Sequence, residues 1–302
     1  MTSAVPATGA PGAPSGFWIA IMPIVFVILW STGFIVAKFG LPYAPPMTFL
    51  VLRFAGVSLA LLPLVLWARA PWPRGRVFDI ALAGVLVHAG YVGAVWSAIG
   101  LGMPAGLAAL IVGMQPVLTA FAAPMIGERV RPRQWIGLML GIGGVALVVS
   151  NKISLIGLAP ASIGLAVFGL LSITIGTLYQ KHRCAHFDLR SGTLIQYVAS
   201  SLVILPLAMY FEGLDLTLSS VHWTPRFIGA LLWAIFVLSI GAVFLLFALI
   251  RKSAATSVTS LLYLTPPTTA LMAWLVFGEI FSITGIIGML LAVAGVAFVV
   301  KK

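Results

Sequence analysis

Apolar residues run in stretches of membrane-spanning length through almost the whole chain. A helix that crosses a bilayer needs about 20 consecutive, mostly apolar residues. From residue 17 onward ten such runs follow one another: 17–38, 46–68, 77–98, 103–125, 132–150, 157–181, 190–211, 226–249, 253–276 and 281–300. Polar punctuation separates them. Tyr43-Ala44-Pro45-Pro46 closes the first hairpin, and Arg69-Ala70-Pro71-Trp72-Pro73-Arg74 the second. Gly100 to Pro104 is a tight turn, and Glu128 to Arg133 a charged one. Residues 1–16, rich in Pro, Gly, Ala, Ser and Thr, carry no charge and predict a disordered cytoplasmic tail. They lack the basic n-region of a signal peptide, so no cleavage is expected.

The runs repeat. Residues 90–149 match 241–300 at a shift of 151 positions without a gap. Gly90 falls on Gly241, Pro116 on Pro267, Gly127-Glu128 on Gly278-Glu279, Gly137 on Gly288 and Gly144-Val145-Ala146 on Gly295-Val296-Ala297. Apolar matches would be cheap in this chain, but a proline and a Gly-Glu pair in one frame are not. The first helices agree at a different shift, with Gly33 and Lys38 on Gly176 and Lys181. The repeat holds five helices, so a second copy enters the membrane upside down. The expected fold is all-α integral membrane: ten transmembrane helices as two inverted five-helix repeats, 17–150 and 157–302.

Charge sets the orientation. With the N-terminus in the cytoplasm, thirteen of the 17 Lys and Arg fall on the cytoplasmic side. Only Lys38, Lys152 and Arg226 fall outside, and Arg53 lies within the second helix. Both termini are then cytoplasmic. Composition agrees: 61% of residues are hydrophobic and 8% charged, with mean hydropathy +1.15. A soluble domain with that balance would be one apolar patch. The net charge of +11 sits in short loops, which indicates topology and not nucleic acid. The single Cys184 excludes a disulfide framework.

Five plus five helices with this Pro and Gly-Glu pattern resemble the drug/metabolite transporter superfamily. The residues that carry the resemblance are Trp30-Ser31-Thr32-Gly33, Lys38, Arg53-Phe54, Gln115-Pro116, Gly127-Glu128, Pro266-Pro267 and Gly278-Glu279. It covers the chain after residue 16 and looks most like the bacterial inner-membrane exporters of aromatic and other neutral amino acids. Relatives with the same skeleton carry sugars, nucleotide sugars, metabolites or drugs. The resemblance implies a central cavity lined by the first, third, fourth, sixth, eighth and ninth helices. It alone implies export.

Within that frame, candidate substrate contacts are Trp30, Ser31, Phe34, His88, Tyr91, Trp96, Gln115, Phe244, Tyr263 and Thr265. Aromatic walls with sparse donors suit neutral or aromatic amino acids. Phosphorylated sugars would want several Arg or Lys. Each aromatic also has a plainer role in packing or facing lipid. His88 and Tyr91 are three apart and share a helix face. An intramembrane His faces the bundle interior by default, where it can meet a substrate or a neighbouring helix. Pro116 and Pro267 fall inside the fourth and ninth runs, as hinges or static kinks. Lys38 can gate, meet a substrate carboxylate or snorkel to headgroups. Lys181 is expected to snorkel, and Arg53 to tie its helix to a backbone carbonyl. Gly137, Gly141, Gly144, Gly285, Gly288 and Gly295 read as close helix packing.

No carboxylate lies deep in a run, so transport is uncoupled or coupled through His88. There is no P-loop and no G-x-S-x-G elbow. His182 and His186 stand four apart but in a basic stretch, without the carboxylate of a metalloprotease helix. No enzyme, metal or cofactor is expected. A lipid-modifying enzyme would need a His, Asp or Ser cluster at one interface. A passive channel would show flux that does not saturate. The expected partners are a small solute and the bilayer, with no nucleic acid, and the protein is taken as a monomer. Its expected task is amino-acid export by alternating access, with multidrug or other metabolite export as the alternative.

Overall fold

The structure, a computed structural model, describes residues 16–103, 108, 111–150, 159–184, 187–215, 217–277 and 282–300. The predicted tail, Lys152, His186 and Glu279 lie outside the described residues. The helices are α1 (Gly16–Gly40), α2 (Pro46–Trp67), α3 (Val77–Gly100), α4 (Gln115–Ile126), α5 (Pro132–Ser150), α6 (Pro160–Arg183), α7 (Leu189–Phe211) and α8 (Pro225–Arg251). Next comes α9, built of Ala255–Ser260, a 3-10 turn Leu261–Leu264 and Thr265–Phe277, and then α10 (Ile283–Val300). No strand occurs among the described residues. Of the described helices, α2, α3, α6, α7 and α8 are long and apolar enough to cross a membrane. Their outer faces carry exposed Leu59, Leu66, Phe168, Ile175 and Leu202. Such faces suit lipid and would be a liability in water.

Two pairs of helices in equivalent positions of the two repeats, α2 with α7 and α5 with α10, pack against each other in opposite directions. α2 and α7 share a register of 143, which matches Pro46 to Leu189 at their starts and Pro63 to Pro206 inside them. The start of α2 meets the end of α7. Pro45 offers α2 no side-chain cap, so Glu212, just past the end of α7, supplies one. Its Oε1 accepts from Met47 N–H at 2.8 Å, and its Oε2 accepts from Thr48 N–H at 2.7 Å and the Thr48 hydroxyl at 2.8 Å. A carboxylate at a helix N-terminus satisfies orphan donors and suits the helix dipole. At the other end Ser191 Oγ donates to Pro71 O at 2.7 Å.

The start of α7 has its own cap. The Asp188 carboxylate accepts from Arg190 N–H at 2.9 Å and pairs with the Arg190 guanidinium, also at 2.9 Å. The Arg190 side chain, helped by the backbone N–H groups and opposed by partial burial, holds the Asp188 carboxyl below the usual carboxylate range. A carboxyl depressed in the folded state stabilises above its unfolded pKa, near 3.9. That stability is lost as pH falls through the folded value. Asp188→Asn keeps a capping oxygen but not the charge. Its unfolding temperature in detergent is expected below wild type at pH 7, with a gap that closes on acidification towards pH 3.

The α5–α10 pair shows why the repeated glycines are glycines. A Cβ on Gly137 would stand 2.6 Å from Gly295 O, and one on Gly144 2.5 Å from Ala292 N. The backbones touch, as the small-residue spacing predicts. Gly141 instead seats the Tyr263 ring, only 2.2 Å from where its Cβ would be.

Two departures from regular helix face the middle of the molecule. Val85–Gly93 in α3 and Ala234–Ala242 in α8 are π-helical. A π turn takes an extra residue, widens the helix and often marks a functional site. Pro116 and Pro267 do not sit mid-helix as the runs suggested. Pro116 occupies the first turn of its segment, after a turn at Gly113 and Met114. Pro267 follows the 3-10 stretch in the same way. Proline cannot donate to the preceding turn and clashes with it, so the helix breaks on its N-terminal side.

At one end the helices are tied together by polar contacts. Lys181 Nζ donates to Ile250 O and Ser253 O, each at 2.6 Å, closing the carbonyls at the end of α8. Lys181 therefore caps a neighbouring helix where the sequence suggested snorkelling. Arg76 donates to Arg183 O at 2.5 Å, and the Tyr179 hydroxyl donates to Asp79.

Candidate functional site

Polar side chains gather between the repeats in two adjoining groups. The first spans α2, α3, α7 and α8. Arg53 Nε donates to Ser239 Oγ at 2.7 Å. This replaces the expected tie to a backbone carbonyl. The Tyr197 hydroxyl donates to Ser239 O at 3.4 Å. His88 stacks on Tyr197 with ring centroids 4.3 Å apart and planes 18° apart, and Phe54 meets its edge at 6.2 Å. Tyr91 is half-buried beside this group. Both π segments contribute here, through His88 and Ser239.

The second group spans α1, α4, α6 and α9. Gln115 Nε2 donates to Thr177 Oγ1 at 3.2 Å. Ser31 Oγ bonds Val27 O at 2.7 Å and reaches Thr265 O at 3.5 Å, while Thr269 Oγ1 donates to Ser31 O at 3.3 Å. The Ser31 hydroxyl is thus spent within α1, and the Ser31 carbonyl joins α1 to α9 through Thr269. The two groups connect through α6. Gln196 Nε2 donates to Gln180 Oε1 at 2.8 Å, and Gln180 lies one turn from Thr177.

Some polar atoms are enclosed without a partner among the described residues, among them Gln115 Oε1 and Thr265 Oγ1 of the second group and Ser97 Oγ, Thr119 Oγ1 and Tyr263 Oη. They come from α3, α4 and α9. An unmet buried polar group costs about 1–3 kcal/mol. Most buried polar groups in proteins are satisfied, so unmet ones call for a reason other than packing.

The other expected contacts divide. Trp30 is half-buried, 5.3 Å from the Phe26 ring. Phe244 is partly buried against the core. Trp96 is enclosed in that core, with its ring 5.2 Å from Phe49, and packs there. Tyr263 is fully buried on Gly141. The backbones of Phe34 and Lys38 are in α1, and their side chains lie outside the described residues.

Sequence reasoning missed Gln196, Tyr197, Thr177, Gln180 and Ser239. One signal was available. The register of 143 places Arg53-Phe54 on Gln196-Tyr197, and the register of 151 places His88 on Ser239. The contacts are reciprocal: Arg53 of α2 meets Ser239 of α8, and Gln196 of α7 stands next to His88 of α3. Among the described residues no group of His, Cys, Asp and Glu converges as metal ligands.

Comparison with known proteins agrees with this duplicated arrangement. The profile of the EamA-like transporter family matches twice, at residues 17–150 and 160–301. The chain is 29% identical to the uncharacterized transporter YvbV of Bacillus subtilis, covering 94% of this chain and 92% of that one. It is 28% identical to a probable amino-acid metabolite efflux pump of Salmonella typhimurium, over 91% and 92% of the two chains. A probable terminal-alkyne amino-acid exporter of Streptantibioticus cattleyicolor is 26% identical, over 92% of each. A solved crystal structure superposes with TM-score 0.75 at 19% identity, covering 92% of this chain and 94% of that one, and shares the fold. The two matches take in nearly the whole chain, and the protein belongs to the EamA-like transporter family.

Proposed function

We propose that this membrane transporter exports neutral and aromatic amino acids across the bacterial inner membrane. The observation that carries the proposal is that helices of both repeats carry enclosed polar atoms without a partner, on α3, α4 and α9, while Trp30, Tyr91 and Phe244 of α1, α3 and α8 are half-buried. Such a site offers a few hydrogen bonds to a small polar head and apolar surface to a side chain. Two of the relatives are named for amino-acid or amino-acid-metabolite export. The proposed topology is ten spans in two inverted halves with both termini in the cytoplasm. The opposed directions of α2 against α7 and of α5 against α10 support the inversion. The basic bias of the loops supports the orientation.

In the proposed cycle, a solute enters from the cytoplasm and meets His88, Gln115 and Thr265. The halves then rock about the breaks before Pro116 and Pro267, with Lys38 as a gate, and open the cavity outward. Ser31 serves the cycle as the α1–α9 joint. Export of drugs or other metabolites is the second reading, favoured by the aromatic surface. Cells that carry the protein should lose preloaded labelled phenylalanine faster than cells without it, and unlabelled tyrosine or leucine should compete. Equal loss from both would remove the amino-acid reading. Competition by bulky cationic dyes alone would favour drug export.

A further inference from the structure

We infer that Arg53 binds the carboxylate of the transported solute. This rests on the amino-acid reading above and names its chemistry. Arginine stays charged at every accessible pH and presents a planar fork of donors that fits a carboxylate. Arg53 is 7% exposed, two turns into α2. A buried charge inside a membrane protein is costly unless it is paired. Its neighbours are the Ser239 hydroxyl, on Nε at 2.7 Å, and the tyrosines Tyr197 and Tyr91. These are neutral groups.

The chain has only six acidic residues, and most are engaged far from Arg53. Asp79 takes the Tyr179 hydroxyl, Asp188 takes Arg190, Glu212 caps α2, and Asp215 takes Ser219 and Thr217. Glu128 stands at the turn after α4, and Glu279 lies outside the described residues. No ion pair to Arg53 occurs among the described residues.

The other repeat shows that the fold does not need this charge. Gln196 occupies the Arg53 register in α7, beside His88, as Arg53 stands beside Ser239. A neutral amide serves the helix contact there. The charge at Arg53 is therefore extra to packing, and a ligand is what it can answer. Nε is held by Ser239 and the Tyr197 hydroxyl also bonds the guanidinium, so a solute carboxylate would take the rest of the fork beside Tyr197. His88 is enclosed against the same Tyr197 ring and beside Gln196. It supplies a further polar contact to that head group. Unpaired oxygens on Gln115 and Thr265 remain to accept from an amino group.

The test uses purified full-length protein in detergent and ligand-induced thermal shifts. The probes are phenylacetate against phenylacetamide and phenylalanine against phenylalaninamide. Wild type is expected to bind each acid over its amide by about tenfold or more, the usual worth of hydrogen bonds to a charged group. Arg53→Gln copies the residue of the other repeat. It should fold and bind acid and amide alike. Arg53→Lys keeps the charge but not the fork, and should restore part of the preference. An Arg53→Gln protein that keeps the full acid preference would overturn the assignment, and so would a wild type without one. A clear preference for phenylacetate with no response to phenylalanine would instead sink the amino-acid reading and leave Arg53 as a carboxylate site.

Discussion

Replacing Gly295 with leucine is expected to force α10 away from α5 and deprive the protein of its fold. A Cβ at Gly295 would lie 2.5 Å from Gly141 N and 2.6 Å from Gly137 O. Both obstacles are backbone, which cannot turn aside as a side chain can. The contact is mutual, because Gly137 and Gly144 face Gly295 O and Gly288 O at 2.6 Å each. Forcing atoms into a packed site costs about 1–3 kcal/mol where side chains can shift, and more where they cannot. Helix association in a membrane relies on close packing and gains little from burying apolar surface. The loss should therefore appear as aggregation on size-exclusion chromatography and a large fall in unfolding temperature. Gly143→Leu is the control, since a Cβ there meets nothing within 4 Å. It should behave as wild type. Equal stability of the two variants would mean that α5 and α10 do not pack as described.

Removing the nitrogens of His88 is expected to slow transport strongly while leaving the protein folded. His88 is 3% exposed, and its ring covers Tyr197 at 4.3 Å. Alanine there would remove a recognition group and unstack Tyr197 at the same time. Phenylalanine separates the two effects. It keeps a planar ring against Tyr197 and Phe54 but offers no Nε2. His88→Phe should keep the wild-type unfolding temperature to within a few degrees and lose about tenfold or more in transport rate, as when a hydrogen bond to a charged ligand goes. His88→Ala should lose both. A His88→Phe protein that transports at the wild-type rate would assign His88 to packing and take it out of the site.

The fold was open to reading where the membrane imposes a rule on sequence. Apolar run length located α2, α3, α6, α7 and α8, because every backbone group in lipid must be satisfied within its helix. The glycines of α5 and α10 could be read as packing, because contact between backbones leaves no room for a side chain. Other features had no local signature. The π segments of α3 and α8 are as apolar as regular helix, and only tertiary packing widens them. Pro116 and Pro267 lie within continuous apolar runs, which hide that segments begin just before them, at Gln115 and Thr265.

The site was legible only in part, for a related reason. His88, Gln115 and Thr265 stand out as polar residues within apolar runs. Gln196 and Tyr197 obey the same rule but were passed over, because the second and seventh helices repeat at 143 and not at 151. The ungapped frame therefore never placed Arg53 over Gln196. Trp96 was picked for its type and turned out to fill the core against Phe49. Ser31 was picked as a free donor, yet its hydroxyl is taken up by Val27 and Thr265. Residue type identifies groups able to bind a solute, and only the packing tells which ones are left unpaired.

The most direct test of amino-acid transport is counterflow in proteoliposomes. Vesicles are preloaded with unlabelled phenylalanine, labelled phenylalanine is added outside, and the label inside is followed with time. A carrier that alternates access will accumulate label above its outside level and then release it, because labelled molecules returning outward compete with the unlabelled pool. No overshoot, from protein shown to be folded by size-exclusion chromatography, would contradict amino-acid transport by alternating access.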